Sequence, residues 1–309
     1  MKIIVTGGAG FIGSHVADAY VTQGHQVIII DNLSTGVKEN LHPQAKFYEL
    51  DIRSSQAADI IRTEKPDLIN HHAAQIRVDI AADNPILDAN VNIIGFLNLI
   101  QAAKEIKSVK KVILASTGGA MYGDKPTPFV ETMLPQPLSP YGISKHADEL
   151  YLNFFHEQYG IDYTALRYAN VYGPRQNPYG EAGVVSIFCE KLLTGQQPVI
   201  NGDGTQTRDY VHVSDVVTAN LLAADSRETG VFNIGTAIQT NVNEIFFLVN
   251  QVFGANWEEV HGPPRPGEQQ TSSLSYQKAK IKLGWQPTIS LPDGIRQTVE
   301  WFKQHPERV

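Results

Sequence analysis

A short apolar run followed at once by three spaced glycines, "KIIVTGGAGFIGSH" from Lys2 to His15, constrains the fold of this 309-residue chain more than any other stretch. "KIIVT" reads as a buried strand, and "FIGSHVADAYVTQG" as a helix closed by Gly24. Gly7 permits the tight turn between them, Gly10 lets a pyrophosphate approach the backbone, and Gly13 lets the helix pack close to the sheet. The helix start then offers unpaired N–H groups and a positive dipole end to phosphates. A glycine pattern alone is weak, but the strand-turn-helix context marks a dinucleotide site. The next strand, "QVIII", ends in Asp31, eighteen positions beyond Gly13. A carboxylate there accepts both adenosine ribose hydroxyls and repels a 2′-phosphate, which favours NAD over NADP. Asp51, closing "KFYEL", is a candidate partner for the adenine amino group.

Further strands are expected in "PDLINHHAA", "KVILAST" and "DYTALRYANV", with helices in "NPILDANVNIIGFLNLIQAAKEI" and from Pro140 to Tyr159. Continuous apolar strands between amphipathic helices imply an α/β fold, a Rossmann-type doubly wound parallel sheet. After Tyr172 the texture becomes rich in loops, as in "YGPRQNPYGEAG" and "HGPPRPGEQQ". We therefore expect an NAD-binding domain over 1–168, to which the chain returns around 206–235. A smaller interleaved α+β substrate lobe is expected over 169–205 and 236–309.

Net charge is −7, with no basic run of the kind that binds nucleic acid. No apolar run is expected to reach membrane-spanning length, and an acidic surface disfavours anionic membranes. The single cysteine, Cys189, fits a reducing compartment and a small buried side chain, so a cytoplasmic location is expected. His71 and His72 are adjacent, so on a strand they point to opposite faces, and no metal site is expected.

"SPYGISKHADE" places Tyr141 and Lys145 four apart, on one face of a helix. "KVILAST" delivers Ser116 and Thr117 to the same end of the sheet. A phenol with pKa near 10 is too weak a base at neutral pH. A neighbouring ammonium and a positive nicotinamide both favour phenolate, and a fall of about 2–3 units suffices. Such a phenolate could take a proton from a substrate hydroxyl while hydride leaves the same carbon.

The motifs "GGAGFIG", "DNLSTG", "STGGAMYG", "SPYGISK" and "LRYANVYGPRQNPYGEAGVV" together resemble the extended short-chain dehydrogenase/reductases. Within them, the set is similar to that of the UDP-glucose (UDP-galactose) 4-epimerases, over essentially the whole length. The resemblance implies an enzyme that oxidises C4 of a UDP-hexose, lets the 4-keto sugar turn over, and reduces its other face. It implies Tyr141 as base, Lys145 as the cation that acidifies it, and a bridging hydroxyl from Thr117 or, second, Ser116. Many relatives carry that hydroxyl four positions before the tyrosine of "VYG", where this chain has Gly118.

For the cofactor, the resemblance adds Phe11, Ile12, Asn32, Ile52, Ala73, Ala74, Gln75, Asn90 and Tyr168 to the glycines and aspartates. For the UDP-sugar it points to Asn170, Val184, Val185, Arg208, Arg265 and Glu268. It also points to Ser272, where a small residue suggests room for an N-acetyl group. Arginine suits a pyrophosphate because its planar fork donates two bonds and stays charged. Surplus apolar residues on two helices (Val91, Ile93, Ile94, Phe96, Leu97 and Ile100; Leu150, Tyr151, Leu152, Phe154 and Phe155) point to a homodimer of the kind the family forms. The same scaffold could serve a UDP-glucuronate epimerase or a nucleotide-sugar reductase. A non-catalytic NAD-binding sensor would be expected to lose Tyr141, Lys145 or the hydroxyl pair, and all are present.

Overall fold

The computed structural model describes residues 1–180, 183–264 and 269–308. Its centre is a seven-stranded, all-parallel sheet. The strands are β1 (Lys2–Thr6), β2 (Gln26–Asp31), β3 (Lys46–Glu49), β4 (Leu68–His71), β5 (Lys111–Thr117), β6 (Asp162–Tyr168) and, from much later in the chain, a strand at Gly230–Ile234. That last strand is β11, after four short strands: β7 (Asn170–Tyr172), β8 (Ile200–Asn201), β9 (Thr207–Arg208) and β10 (Tyr210–His212). The sheet order is β11-β6-β5-β4-β1-β2-β3, so the winding reverses between β1 and β4. A crevice opens at that reversal, beyond the carboxyl ends of the strands.

The apolar runs of β1 and β2 explain their place at the centre. Ile3–Val5 and Val27–Ile30 are buried on both faces, which β-branched side chains tolerate well. Helices α1 (Phe11–Thr22) and α8 (Val213–Asp225) cover one face. On the other lie α2 (Ser55–Glu64), α5 (Gly95–Ile106) and α6 (Pro140–Tyr159). The last two are separated in the chain from α2 by the short helices α3 (Val78–Asp83) and α4 (Pro85–Ala89).

The helix expected from "NPILDANVNIIGFLNLIQAAKEI" is not regular: α4 passes into α5 through a π turn at Asn90–Ile94. Contrary to the sequence expectation, Pro85–Ile106 is long and apolar enough, by length and composition alone, to cross a membrane. Its inner face, with Phe96, Leu99, Ile100 and Ala103, is buried in the core shared with the sheet and α2, as in a half-buried core helix. Helix α6 is tied at both ends. Ser139 Oγ accepts from the Gly142 N–H, Pro140 occupies the first turn, and Gly160 closes it at φ 69°.

A second core joins α7 (Val184–Leu193), α9 (Val242–Phe253) and α11 (Leu291–Gln304) around Phe188, Phe246 and Phe302. Two further short strands, β12 (Thr240–Asn241) and β13 (His261–Gly262), pair with β9 and β8. Helix α10 (Gln277–Leu283) and Trp285 were expected in the smaller lobe but pack into the core of the sheet, where the indole N–H donates to the Asp215 carbonyl at 2.8 Å.

Candidate active site

The crevice is framed first by the turn after β1. Gly7 sits at φ 68°, and a Cβ there would lie 2.6 Å from the Ala73 nitrogen. A Cβ on Gly13 would lie 2.3 Å from the Gly7 carbonyl oxygen. Close approach of three backbone segments therefore sets this turn, not flexibility. The first-turn N–H groups of α1 have no intrahelical acceptors, and no acidic side chain occupies that turn.

Most expected cofactor residues line one cleft: Gly7, Gly10, Phe11, Ile12, Gly13, Asp31, Asn32, Asp51, Ile52, Ala73, Ala74 and Tyr168. The Asp31 carboxylate accepts from the Ala9 N–H at 2.9 Å and the Leu33 N–H at 2.8 Å, which fixes its direction. Burial pushes its carboxyl above the usual range, against those two bonds. Asp51 is clamped by Arg53 at 2.9 and 2.7 Å, and that fork holds it down at about 2.

Gln75 and Asn90 are not among the residues lining the cleft. Gln75 instead bonds Arg77, Asp88 and Asn92. Asn90 is exposed, while the π turn carries Asn92 inward. The Asn92 amide faces the Gln75 carbonyl at 3.0 Å, Asp88 Oδ1 at 3.1 Å and Ser144 Oγ at 3.0 Å. Asn92 therefore ties the loop after β4 to α6 and was missed from sequence. His72 lines the cleft and stacks on Tyr168, while His71 points to the other face, against Phe96, as adjacent strand residues should.

Tyr141 and Lys145 line the same cleft from one face of α6. Lys145 is 1% exposed, and its ammonium has no hydrogen-bond partner among the described residues. Its nearest ion partner is Asp148, at 4.0 Å. Burial lowers the ammonium and raises the Asp148 carboxyl, each being drawn towards neutrality.

The two candidate hydroxyls differ. Ser116 is buried, and its hydroxyl donates to Glu149 Oε1 at 2.6 Å. The Thr117 hydroxyl accepts from the Ala120 N–H at 3.2 Å, which leaves its own proton to donate. Gly118 has no room for a side chain, since a Cβ would stand 2.3 Å from Leu274 Cδ1.

Among the expected substrate residues, Asn170 is exposed, and its Oδ1 lies 3.9 Å from where a Gly119 Cβ would be. Val184 and Val185 open α7, with Val185 buried in the second core. Arg208 lies on β9 and donates to the Thr207 carbonyl at 2.9 Å. Ser272 is 2% exposed. Arg265 and Glu268 lie outside the described residues.

Residues 3–235 match the model of the NAD dependent epimerase/dehydratase family. The chain belongs to that family. It is an enzyme fold of the extended short-chain dehydrogenase/reductase type, and its cofactor is NAD. The cleft fits that group: a glycine turn and a helix start with no acidic side chain for the pyrophosphate, and a buried ammonium, Lys145, with no hydrogen-bond partner among the described residues. A putative UDP-glucose 4-epimerase of Methanocaldococcus jannaschii is 44% identical, covering 98% of this chain and 99% of its own. The Thermotoga maritima UDP-glucose 4-epimerase, solved with UDP-glucose, is 50% identical at TM-score 0.96, covering 99% and 100%. That of Thermus thermophilus, solved with NAD, is 41% identical at TM-score 0.93, covering 98% and 99%.

Proposed function

We propose that this enzyme inverts C4 of a UDP-hexose, interconverting UDP-glucose and UDP-galactose. The observation that carries the reading is Tyr141 and Lys145 standing on one helix face in the cleft framed by the glycine turn and Asp31. Bound NAD supplies an acceptor that takes hydride from C4 and returns it to the opposite face of the 4-keto sugar.

The chain's own residues do the rest. Tyr141 takes the proton of the C4 hydroxyl and gives it back, and Lys145 lowers the cost of the phenolate and holds the nicotinamide ribose. Thr117 donates to the sugar oxygen, while Ser116 is kept for Glu149. The glycine turn and the α1 start hold the pyrophosphate, and Asp31 takes the adenosine ribose. Asn170, Val184, Val185 and Arg208, with Arg265, Glu268 and Ser272, are proposed for the UDP-sugar. Of these, Val184 and Val185 pack with the core of α7, α9 and α11. A cytoplasmic location goes with this substrate class and with a buried, unpaired Cys189.

Incubating the purified protein with UDP-galactose and following UDP-glucose by NMR tests the reading. Conversion without stoichiometric added cofactor is expected, and a need to consume NADH would indicate a reductase instead. UDP-N-acetylglucosamine and UDP-glucuronate in parallel define the sugar. In this assay, Thr117→Val is expected to lose more activity than Ser116→Ala, by at least about tenfold, one lost hydrogen bond to a charged oxygen being worth about 1.5–3 kcal/mol.

A homodimer through α5 and α6 is also proposed. Phe96, Ile100, Leu152 and Phe155 are spent on the internal core, but Ile94, Leu150, Tyr151 and Phe154 remain exposed. Light scattering at micromolar concentration is expected to give twice the chain mass, and Leu150→Glu with Phe154→Glu to halve it.

A further inference from the structure

On the face of α6 that carries Tyr141 and Lys145, one turn further along, lies a carboxylate that the reaction as described does not use. Asp148 is wholly buried, one turn beyond Lys145. Neither of its oxygens has a hydrogen-bond partner among the described residues, and its closest cation is the Lys145 ammonium at 4.0 Å. That ammonium has no hydrogen-bond partner either. A buried carboxylate normally accepts several hydrogen bonds. One that accepts none is left with the Lys145 ammonium as its ion partner.

The other charged groups near the pair are few. Asp88 of α4 is occupied by the Asn92 and Gln75 amides. Glu149 of α6 is neutralised by the Arg167 fork from β6, at 2.9 and 2.6 Å. His71 and His72, beside β4, are held neutral by burial and by the Lys145 charge. Helix α3 brings only the exposed Asp79 and Asp83. Of these carboxylates, Asp148 alone forms an ion pair with the Lys145 ammonium while accepting no hydrogen bond among the described residues.

We propose that Asp148 is a positioning residue for the reaction: it is the counter-ion that keeps Lys145 charged and in place, and through Lys145 it sets the acidity of Tyr141. This rests on the roles given above to Tyr141 and Lys145. Without Asp148, a wholly buried ammonium sheds its proton more readily, and the phenol loses the cation that favours its ionised form.

The test is Asp148→Asn, which removes the charge and keeps the shape. In the NAD-loaded protein without substrate, the near-ultraviolet phenolate band is titrated against pH, with Tyr141→Phe subtracted. The Tyr141 midpoint is expected to rise by roughly 1 pH unit. The acid limb of the kcat profile should move up with it. An unmoved or lowered midpoint overturns the proposal, because Lys145 would then hold its charge unaided. Asp148→Ser, neutral and smaller, serves if the asparagine variant does not fold, with the same rise in midpoint expected. A wild-type protein inactive on UDP-sugars whose phenolate midpoint still shifts in the variant would sink the epimerase reading and leave the Asp148 proposal standing.

Discussion

Tyr141→Phe is expected to lower kcat for UDP-galactose by about 10²–10⁴-fold, the range for loss of a positioned general base. That corresponds to about 3–5 kcal/mol of transition-state stabilisation. The phenyl ring keeps the packing of α6, whose caps at Ser139 and Gly160 are untouched, so circular dichroism should be unchanged. If the lost group acts on the proton of the C4 hydroxyl, as proposed, KM should move far less than kcat. A variant retaining a tenth or more of wild-type kcat would overturn the assignment of the base. Running the NMR assay on matched, NAD-loaded samples separates this outcome from simple cofactor loss.

The second large effect concerns stability. Glu149→Ala is expected to cost about 3–5 kcal/mol, measured as a lowered urea midpoint at unchanged slope. Glu149 is 4% exposed and Arg167 3% exposed. The carboxylate takes Arg167 Nε at 2.9 Å, Arg167 Nη2 at 2.6 Å and the Ser116 hydroxyl at 2.6 Å. Arg167 also donates to the Tyr122 hydroxyl at 2.7 Å. Removing Glu149 leaves a guanidinium buried without its counter-ion, and that uncompensated charge is the source of the loss. A double replacement, Glu149→Leu with Arg167→Met, should recover most of it.

The pH dependence follows from the same bonds. Burial pushes the Glu149 carboxyl up, but the Arg167 fork and the Ser116 hydroxyl outweigh it and hold the group below its ordinary value. Its contribution is therefore complete above the unfolded carboxyl value of about 4.3 and is lost as pH falls through the lower folded value. The deficit of Glu149→Ala should be constant from neutral pH to mildly acidic pH and shrink only in stronger acid.

What could be read from the sequence was local. The glycine turn, Asp31 and the Tyr141–Lys145 pair each depend on spacing within one strand, turn or helix, and all of them meet in one cleft. What could not be read depends on contacts made far along the chain. Asn90 comes from the resemblance, and the π turn carries Asn92 inward instead, which no spacing rule shows. Ser116 and Thr117 are adjacent in sequence, and only the packing of α6 shows that Glu149, 33 positions away, engages the first. Gly118 makes sense only against Leu274, and Trp285 returns to the sheet from a stretch that reads as loop. Asp148 in isolation looks like a helix surface residue. Its burial is set by the pairing of α6 with α3, α4 and the π turn.

The late arrival of β11 has a consequence for how the chain is made. Until Gly230–Ile234 emerges from the ribosome, β6 is an outermost strand, and the edge of Thr164–Tyr168 away from β5 is unpaired. The residues that perform chemistry have all been translated long before then, yet the platform under them still ends in an open, adhesive margin. A nascent chain stalled after α6 and β6 is thus poised for unwanted strand-to-strand association rather than for early turnover. Protein engineers who wish to separate the nucleotide-holding half should carry that late strand with it.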